Sequence, residues 1–169
     1  PSPSTAPPTV LSYIEPVKQT TVTFEIPSLG TSNAAVSGIH PQGLAKDGSN
    51  VFPAGLTQFQ FNVTPGDTKT VSLYYDLPGS ASSYIARKYN SAGQTYSSVP
   101  GATIARVDYN GRSVLKLVYN ITDDGDLDQD PANGLIVDPV GLAINASLAD
   151  TGQNTWLIVS AAVLIHGLG

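Results

Sequence analysis

The sequence feature that most constrains the fold is a repeated alternation of apolar and polar residues. Around Val22, Phe24 and Ile26, every second residue is apolar and the residues between them are polar or charged. About eight to ten stretches alternate in this way, and none keeps the 3.6-residue period of an amphipathic helix. Strands that bury one face must cover each other in layers. The chain is therefore predicted to be all-β, a β-sandwich for which the jelly roll is one candidate form.

Turn residues divide the alternating stretches into predicted hairpins. The first, at 56–77, turns at Pro65-Gly66-Asp67, where Pro presets φ and Gly tolerates a positive φ. The second, at 103–120, turns at Asn110-Gly111, the favoured pair for a two-residue type I′ turn. The apolar run at 155–165 is predicted to be a buried central strand, because a membrane-spanning helix needs about 20 residues.

The beginning of the chain has a different composition from the rest. Residues 1–8 are rich in Pro, which removes backbone donors and favours an extended conformation. We interpret 1–17 as an extended arm and 18–169 as the sandwich domain, and a processing linker is the alternative for the arm. As a donor strand, the arm would complete a neighbour's sheet through main-chain hydrogen bonds and side chains in pockets. The residues expected to make these contacts are Val10, Leu11, Tyr13 and Ile14.

The most unusual segment is an acidic loop at 122–139, which holds six of the thirteen acidic residues. Closely spaced carboxylates repel one another unless a cation lies among them, and Ca²⁺ prefers about six to eight hard oxygen ligands. The spacing does not match an EF-hand, which requires Gly and Glu at positions held here by other residues. A solvated acidic loop is the alternative. The predicted Ca²⁺ ligands are Asp124, Asp126, Asp128 and Asp130, with Asn133 and Asp138 closing the shell.

The acidic loop also carries a family resemblance. Its pattern, Thr-Asp-x-Gly-Asp-x-Asp-x-Asp-x-x-Asn-Gly-x-Ile-Val-Asp-Pro, resembles the signature of the choice-of-anchor U domain, although Val140 stands where that family prefers Gly. The segment from Phe59 through 65–73 to Lys88-Tyr89 is similar to the same domain, so the resemblance covers about 55–143. That domain occurs in secreted and surface-attached prokaryotic proteins and has no assigned catalytic activity. The resemblance therefore implies a surface module and no reaction.

Charge and composition narrow the function further. The chain has eight Lys and Arg residues and no basic patch, so nucleic acid is not an expected partner. Cys is absent, which excludes disulfides, and a chain that begins with Pro rather than Met is expected of a secreted, processed protein. Three glycosylation sequons begin at Asn62, Asn120 and Asn145.

These observations favour a structural protein over an enzyme. There is no Gly-x-Ser-x-Gly, no Cys nucleophile, and the two His residues are isolated in the sequence. We expect an extracellular subunit of a filament, tube or surface layer that self-assembles by strand addition and is stabilised by Ca²⁺. The alternative is a calcium-dependent adhesion or carbohydrate-binding module, for which eight Tyr and one Trp could supply stacking surfaces for glycans.

Overall fold

The structure is a computed structural model that describes residues 5–148, so the strand predicted at 155–165 lies outside the described residues. Within 5–148 there are eleven β-strands, one short 3₁₀ turn, Ala81–Ser83, and three helical residues at 146–148. The strands are β1 (Thr9–Ile14), β2 (Thr21–Ile26), β3 (Thr31–Ile39), β4 (Asn50–Val51), β5 (Leu56–Val63), β6 (Thr68–Tyr75), β7 (Tyr84–Asn90), β8 (Thr95–Ser98), β9 (Thr103–Tyr109), β10 (Arg112–Thr122) and β11 (Leu135–Asn145).

The strands form two antiparallel sheets that pack face to face, which confirms the predicted all-β sandwich. The first sheet has the order β1-β2-β6-β10-β9, and the second has the order β3-β5-β11-β7-β8. The short strand β4 pairs with the end of β11. The longest strands, β10 and β11, lie inside their sheets rather than at an edge, and the acidic loop connects them across the sandwich.

The core forms because the alternating apolar residues of both sheets point inward. Phe24 of β2 stacks on Phe59 of β5 with ring centroids 4.6 Å apart, which joins the two sheets at their centre. On β10, Leu115 and Leu117 are fully buried. Burying each such side chain stabilises the fold by about 1.5–3 kcal/mol. The period-two pattern is thus explained by one face of each strand being in the core.

One predicted hairpin is confirmed and the other is wrong. Asn110 and Gly111 both have positive φ, 53° and 79°, and Arg112 pairs with Tyr109, as a type I′ hairpin requires. By contrast, the predicted hairpin at 56–77 does not form, because β5 and β6 belong to different sheets. Both edges of each strand are already occupied, those of β5 by β3 and β11 and those of β6 by β2 and β10. The turn therefore carries the chain from one sheet to the other.

The boundary between the predicted arm and the sandwich falls at a different place in the structure. β1 is an edge strand of the first sheet and pairs along its whole length with β2 of the same chain. Its side chains alternate: Leu11 and Tyr13 pack against the core, whereas Val10 and Ile14 are 46% and 58% exposed. The four proposed donor residues thus divide between an inner and an outer face, and residues 9–14 belong to the sandwich.

A tight turn fixes β1 to the rest of the molecule. The buried carboxylate of Glu15 accepts hydrogen bonds from the backbone N–H groups of Val17, Lys18 and Thr20 and from the Thr20 hydroxyl, at 2.7–3.0 Å. Burial alone would raise the pKa of Glu15, but the donors at Thr20, Lys18 and Val17 outweigh it and lower that pKa. The ionised carboxylate therefore stabilises the turn between β1 and β2.

Candidate functional site

The acidic loop lies at one end of the sandwich, where two connections between the sheets meet. We call this place the junction and define it as the turn at 64–67, between β5 and β6, together with the loop at 123–134, between β10 and β11. The backbone N–H of Asp123 donates to the carbonyl of Asp67 at 3.0 Å, so the two connections are hydrogen-bonded to each other. The junction therefore holds both sheets together at this end.

Asp123 is the central carboxylate of the junction. It is 3% exposed, and its Oδ2 accepts a hydrogen bond from the N–H of Gly66 at 2.9 Å. The N–H of Gly134 lies 3.0 Å from both of its carboxylate oxygens. Asp123 thus joins the start of the acidic loop to its end and to the neighbouring turn. Asp123 is not among the ligands predicted from the sequence, because its partner Gly66 is 57 positions away.

Asp128 organises the inside of the acidic loop. Its Oδ1 accepts hydrogen bonds from the N–H groups of Asp130 and Val137, each at 3.0 Å. Its Oδ2 accepts from the N–H of Asp124 at 3.0 Å. The loop is therefore folded around this carboxylate, which holds Asp124 beside Asp123.

Asp123, Asp124 and Asp128 together form an oxygen cluster. Each contributes a carboxylate oxygen that lies within 4.8 Å of the others, close enough to hold one metal ion. Asp124 is the exposed member. Partial desolvation, and then the negative charges of Asp123, Asp128 and Asp130, raise the pKa of Asp124. The cluster therefore carries an electrostatic repulsion that a bound cation would relieve.

The side-chain amide of Asn133 faces the same cluster. In one rotation of the amide, its NH₂ group donates to Asp124 Oδ2 and Asp123 Oδ2, both at 3.1 Å. In the other rotation, its oxygen faces these two carboxylate oxygens, an arrangement that is favourable only with a cation between them. Asn133 can thus complete the cluster as a hydrogen-bond donor or as a fourth oxygen ligand.

The cluster keeps lone pairs that a hard cation could use. A carboxylate oxygen can accept about two hydrogen bonds. Asp128 Oδ1 already accepts two hydrogen bonds, whereas Asp128 Oδ2 and Asp123 Oδ1 each accept one. Coordination could therefore come from these two oxygens and from Asp124, with water in the remaining positions, a donor set that suits Ca²⁺.

The structure brings together only some of the predicted ligands. Asp124, Asp128 and Asn133 meet at the cluster, as just described. Asp126 is exposed and does not belong to the three-carboxylate group. The Oδ1 of Asp130 accepts a hydrogen bond from the N–H of Ala132 at 2.7 Å, and this residue also lies outside the group.

Asp138 lies in the core, where its carboxylate already has partners, and we therefore remove it from the proposed ligand set. It is fully buried on β11, with Oδ1 2.5 Å from the ammonium nitrogen of Lys88 and Oδ2 2.6 Å from the hydroxyl of Tyr119. Burial raises the pKa of Asp138, while Lys88 and Tyr119 act in the opposite direction. Lys88 also donates to the carbonyl of Leu127, so its buried ammonium group links the acidic loop to the core.

A signal for this buried group was present in the alternation of the strands. Lys88 is in phase with the buried residues Tyr84 and Ala86 of β7, and Asp138 is in phase with Ile136 of β11. A charged residue at an inward position needs a partner of opposite charge. Once it is known which face of each strand is buried, Lys88 and Asp138 can therefore be predicted to form an ion pair.

The three sequons lie on the surface of the sandwich. Asn62 on β5, Asn120 on β10 and Asn145 at the end of β11 are all exposed. The amide of Asn120 accepts a hydrogen bond from Thr70 at 2.7 Å, and that of Asn145 donates to Ser49 at 2.9 Å. Glycosylation at these positions stays a prediction.

Comparison with family models, with curated proteins and with solved structures finds no match to this chain. The resemblance to the choice-of-anchor U domain therefore stays a prediction. Between residues 5 and 148, the structure contains no helix with the length and apolar character needed to cross a membrane.

Proposed function

We propose that the protein is a structural subunit of an extracellular assembly, with Ca²⁺ bound at the junction and β1 exchanged between copies. The observation that carries the proposal is the oxygen cluster at the junction, where Asp123, Asp124 and Asp128 meet between two connections of opposite sheets. A cation there would act on the architecture of the sandwich rather than on a substrate.

Calcium fits the proposed role better than magnesium. The cluster offers carboxylate and amide oxygens from an irregular loop, and Ca²⁺ accepts six to eight such ligands in flexible geometry, about 2.3–2.6 Å away. Mg²⁺ demands a nearly ideal octahedron and keeps its water. Extracellular calcium modules bind with dissociation constants of about 10⁻⁴–10⁻³ M. We expect the junction site to bind in that range, so that it would be filled at extracellular calcium concentrations.

Strand exchange is supported by the position of β1. The backbone of β1 continues into the sandwich through the turn at 15–20, and its β-sheet partner is β2. A second copy could supply the same strand and the same pairing without a change in the acceptor sheet, as in domain swapping. Val10 and Ile14 would remain on the outer face, where a further neighbour could cover them. When each copy donates β1 to a different copy from the one that donates to it, the exchange does not close, and it produces a chain of subunits.

An engineered disulfide tests the exchange directly, because the chain has no Cys of its own. Ser12 of β1 pairs with Thr23 of β2, and their hydroxyl oxygens lie 3.1 Å apart. The double variant Ser12→Cys/Thr23→Cys should therefore form a disulfide wherever β1 docks. Exchange between copies predicts a ladder of covalent multimers on a non-reducing gel. Filaments should be visible by electron microscopy in calcium, and they should be lost in a chelator.

The controls separate exchange from random oxidation. Each single Cys variant can form a dimer at most, so a ladder must come from the paired positions. If the double variant is oxidised but remains monomeric at every protein and calcium concentration, β1 docks only within its own chain. That result would exclude strand exchange as the mechanism of assembly.

A second candidate function is glycan binding, and it is favoured by a cleft beside β8 of the second sheet. The cleft has a volume of about 590 Å³ and is lined by residues that include His40, Gln42, Asp47, Asn50 and Tyr96. The rings of Tyr96 and Phe52 stack with centroids 5.3 Å apart, and they provide an aromatic surface on which a sugar ring could pack. A glycan array that gives a hit abolished by Tyr96→Ala would support this candidate over the structural subunit.

A further inference from the structure

The core contains three polar side chains that the proposed calcium site does not use. Lys88 of β7, Asp138 of β11 and Tyr119 of β10 are 4%, 0% and 2% exposed. Val140 is the register partner of Lys88, and Asp138 lies two residues before Val140 on β11, on the same face of the sheet. The three side chains therefore meet between the two sheets, where bulk water is excluded.

Their geometry places an amine against a carboxyl carbon. The Nζ of Lys88 is 2.5 Å from Oδ1 of Asp138, so the amine lies directly beside the carboxyl group that contains Cγ. The hydroxyl of Tyr119 donates to the other oxygen, Oδ2, at 2.6 Å. The second partner of Nζ is the carbonyl of Leu127. The nucleophile, the electrophile and a donor for the developing oxyanion are thus in place.

We propose that Lys88 and Asp138 form an intramolecular isopeptide bond. A proton first moves from the ammonium group to Oδ1, which leaves a neutral amine and a carboxylic acid. The lone pair of Nζ then attacks Cγ, and the negative charge that develops on Oδ2 is stabilised by the Tyr119 hydroxyl. A second proton passes from Nζ to Oδ1, the C–Oδ1 bond breaks, and one water molecule leaves. The product is a secondary amide with one proton on nitrogen, and no oxidant, reductant or co-reactant is needed.

The surroundings favour this product over the ion pair. Two buried charges carry a large desolvation cost, which the neutral amide removes. Burial raises the pKa of Asp138 and so favours the protonated carboxyl group from which the reaction starts. The amide would keep both existing hydrogen bonds, with its N–H donating to Leu127 and its oxygen accepting from Tyr119. Fixed neighbours inside a core also react at effective concentrations of up to about 10⁵–10⁸ M.

The bond would have a mechanical consequence. Lys88 and Asp138 are 50 positions apart, and β7 and β11 are adjacent strands of the second sheet. An amide between them would join the two strands covalently in a chain that has no Cys and hence no disulfides. It would also fix the strand that follows the acidic loop, so that tension applied through the junction would not separate β11 from β7.

Mass spectrometry of the denatured full-length protein tests the proposal. The bond predicts an intact mass lower by one water molecule than the mass of the sequence. Trypsin would fail to cleave after Lys88, and the last site before the end of the chain is Lys116. The digest should therefore contain one branched peptide that joins residues 88–106 to residues 117–169. An intact mass equal to that of the sequence, with the two peptides separate, would overturn the proposal.

Two controls make the result specific. A succinimide at Asp124-Gly125 would also lose one water, but it would leave the peptide 117–169 unbranched, and that outcome would count against the isopeptide bond. The variant Lys88→Ala should have the full mass of its sequence, because it lacks the amine.

In Tyr119→Phe, which keeps both reacting groups, the fraction of cross-linked protein should rise more slowly after synthesis. An unchanged rate would remove Tyr119 from the mechanism.

Discussion

At the scale of single residues, three carboxylates act mainly as acceptors for backbone N–H groups. Glu15 closes the turn after β1 in this way, Asp123 joins two connections at the junction, and Asp128 folds the acidic loop. The acidic loop could be predicted from sequence because its composition is unusual. The assignment of ligands within it could not, because Asp123 owes its position to Gly66 and Asp138 owes its burial to Lys88.

Glu15 provides a prediction with a built-in control, because the chain has only one other Glu, Glu25 of β2. Replacing Glu15 by Gln removes a charged acceptor from several donors, so we expect the free energy of unfolding to fall by about 1.5–3 kcal/mol at neutral pH. Glu25→Gln, at a partly exposed position, should change it by less than about 0.5 kcal/mol. Urea denaturation of both variants measures the difference.

The effect of Glu15 should depend on pH in a defined direction. Folding lowers the pKa of Glu15, so its contribution to the free energy of unfolding is complete above the ordinary Glu pKa of about 4.3. That contribution is lost as the pH falls through the lowered pKa. The stability difference between the wild type and Glu15→Gln should therefore shrink in acid. A difference that stays constant between neutral and acidic pH would mean that the Glu15 charge does not stabilise the turn.

At the scale of strands, alternation predicts which face of a strand is buried but not which strand is its neighbour. The turn at Asn110-Gly111 could be predicted because the conformation is local to two residues. The partners of β5 and β6 could not, because each strand has the same inward pattern whether it stays in one sheet or crosses to the other. The same limit applies to β1, whose pairing with β2 depends on the packing of Tyr13 over β3.

Gly38 on β3 makes room for β1, which yields a prediction at this scale. A Cβ at Gly38 would lie 2.7 Å from Cε2 of Tyr13 and 2.8 Å from Cδ of Pro16. Gly38→Ala should therefore loosen β1 from the sandwich, at a cost of about 1–3 kcal/mol for overpacking. Amide hydrogen exchange should accelerate in β1 while β10 stays protected. The neighbouring exposed variant Ser37→Ala should leave both unchanged, and equal protection of β1 in Gly38→Ala and wild type would contradict the prediction.

At the scale of the whole molecule, the junction, the buried pair of Lys88 and Asp138, and the docked β1 each connect different parts of the sandwich. The junction ties the two sheets together at one end, and the buried pair connects the acidic loop to the core through Leu127. Ligand binding to the folded state stabilises it by mass action, by about 1.4 kcal/mol at ten times the dissociation constant. A cation at the junction would therefore raise the stability of the whole sandwich.

The most direct test of the proposed function is a calorimetric titration of Ca²⁺ into the chelator-treated full-length protein. We predict one site per chain with a dissociation constant of about 10⁻⁴–10⁻³ M. Asp124→Asn should weaken binding about tenfold, a loss of about 1.4 kcal/mol, because it removes one charged oxygen ligand from the site. Asp126→Asn, outside the three-carboxylate cluster, should bind as the wild type does. If the wild type shows no binding heat and no rise in Tm at calcium concentrations about ten times above that range, the junction is not a calcium site.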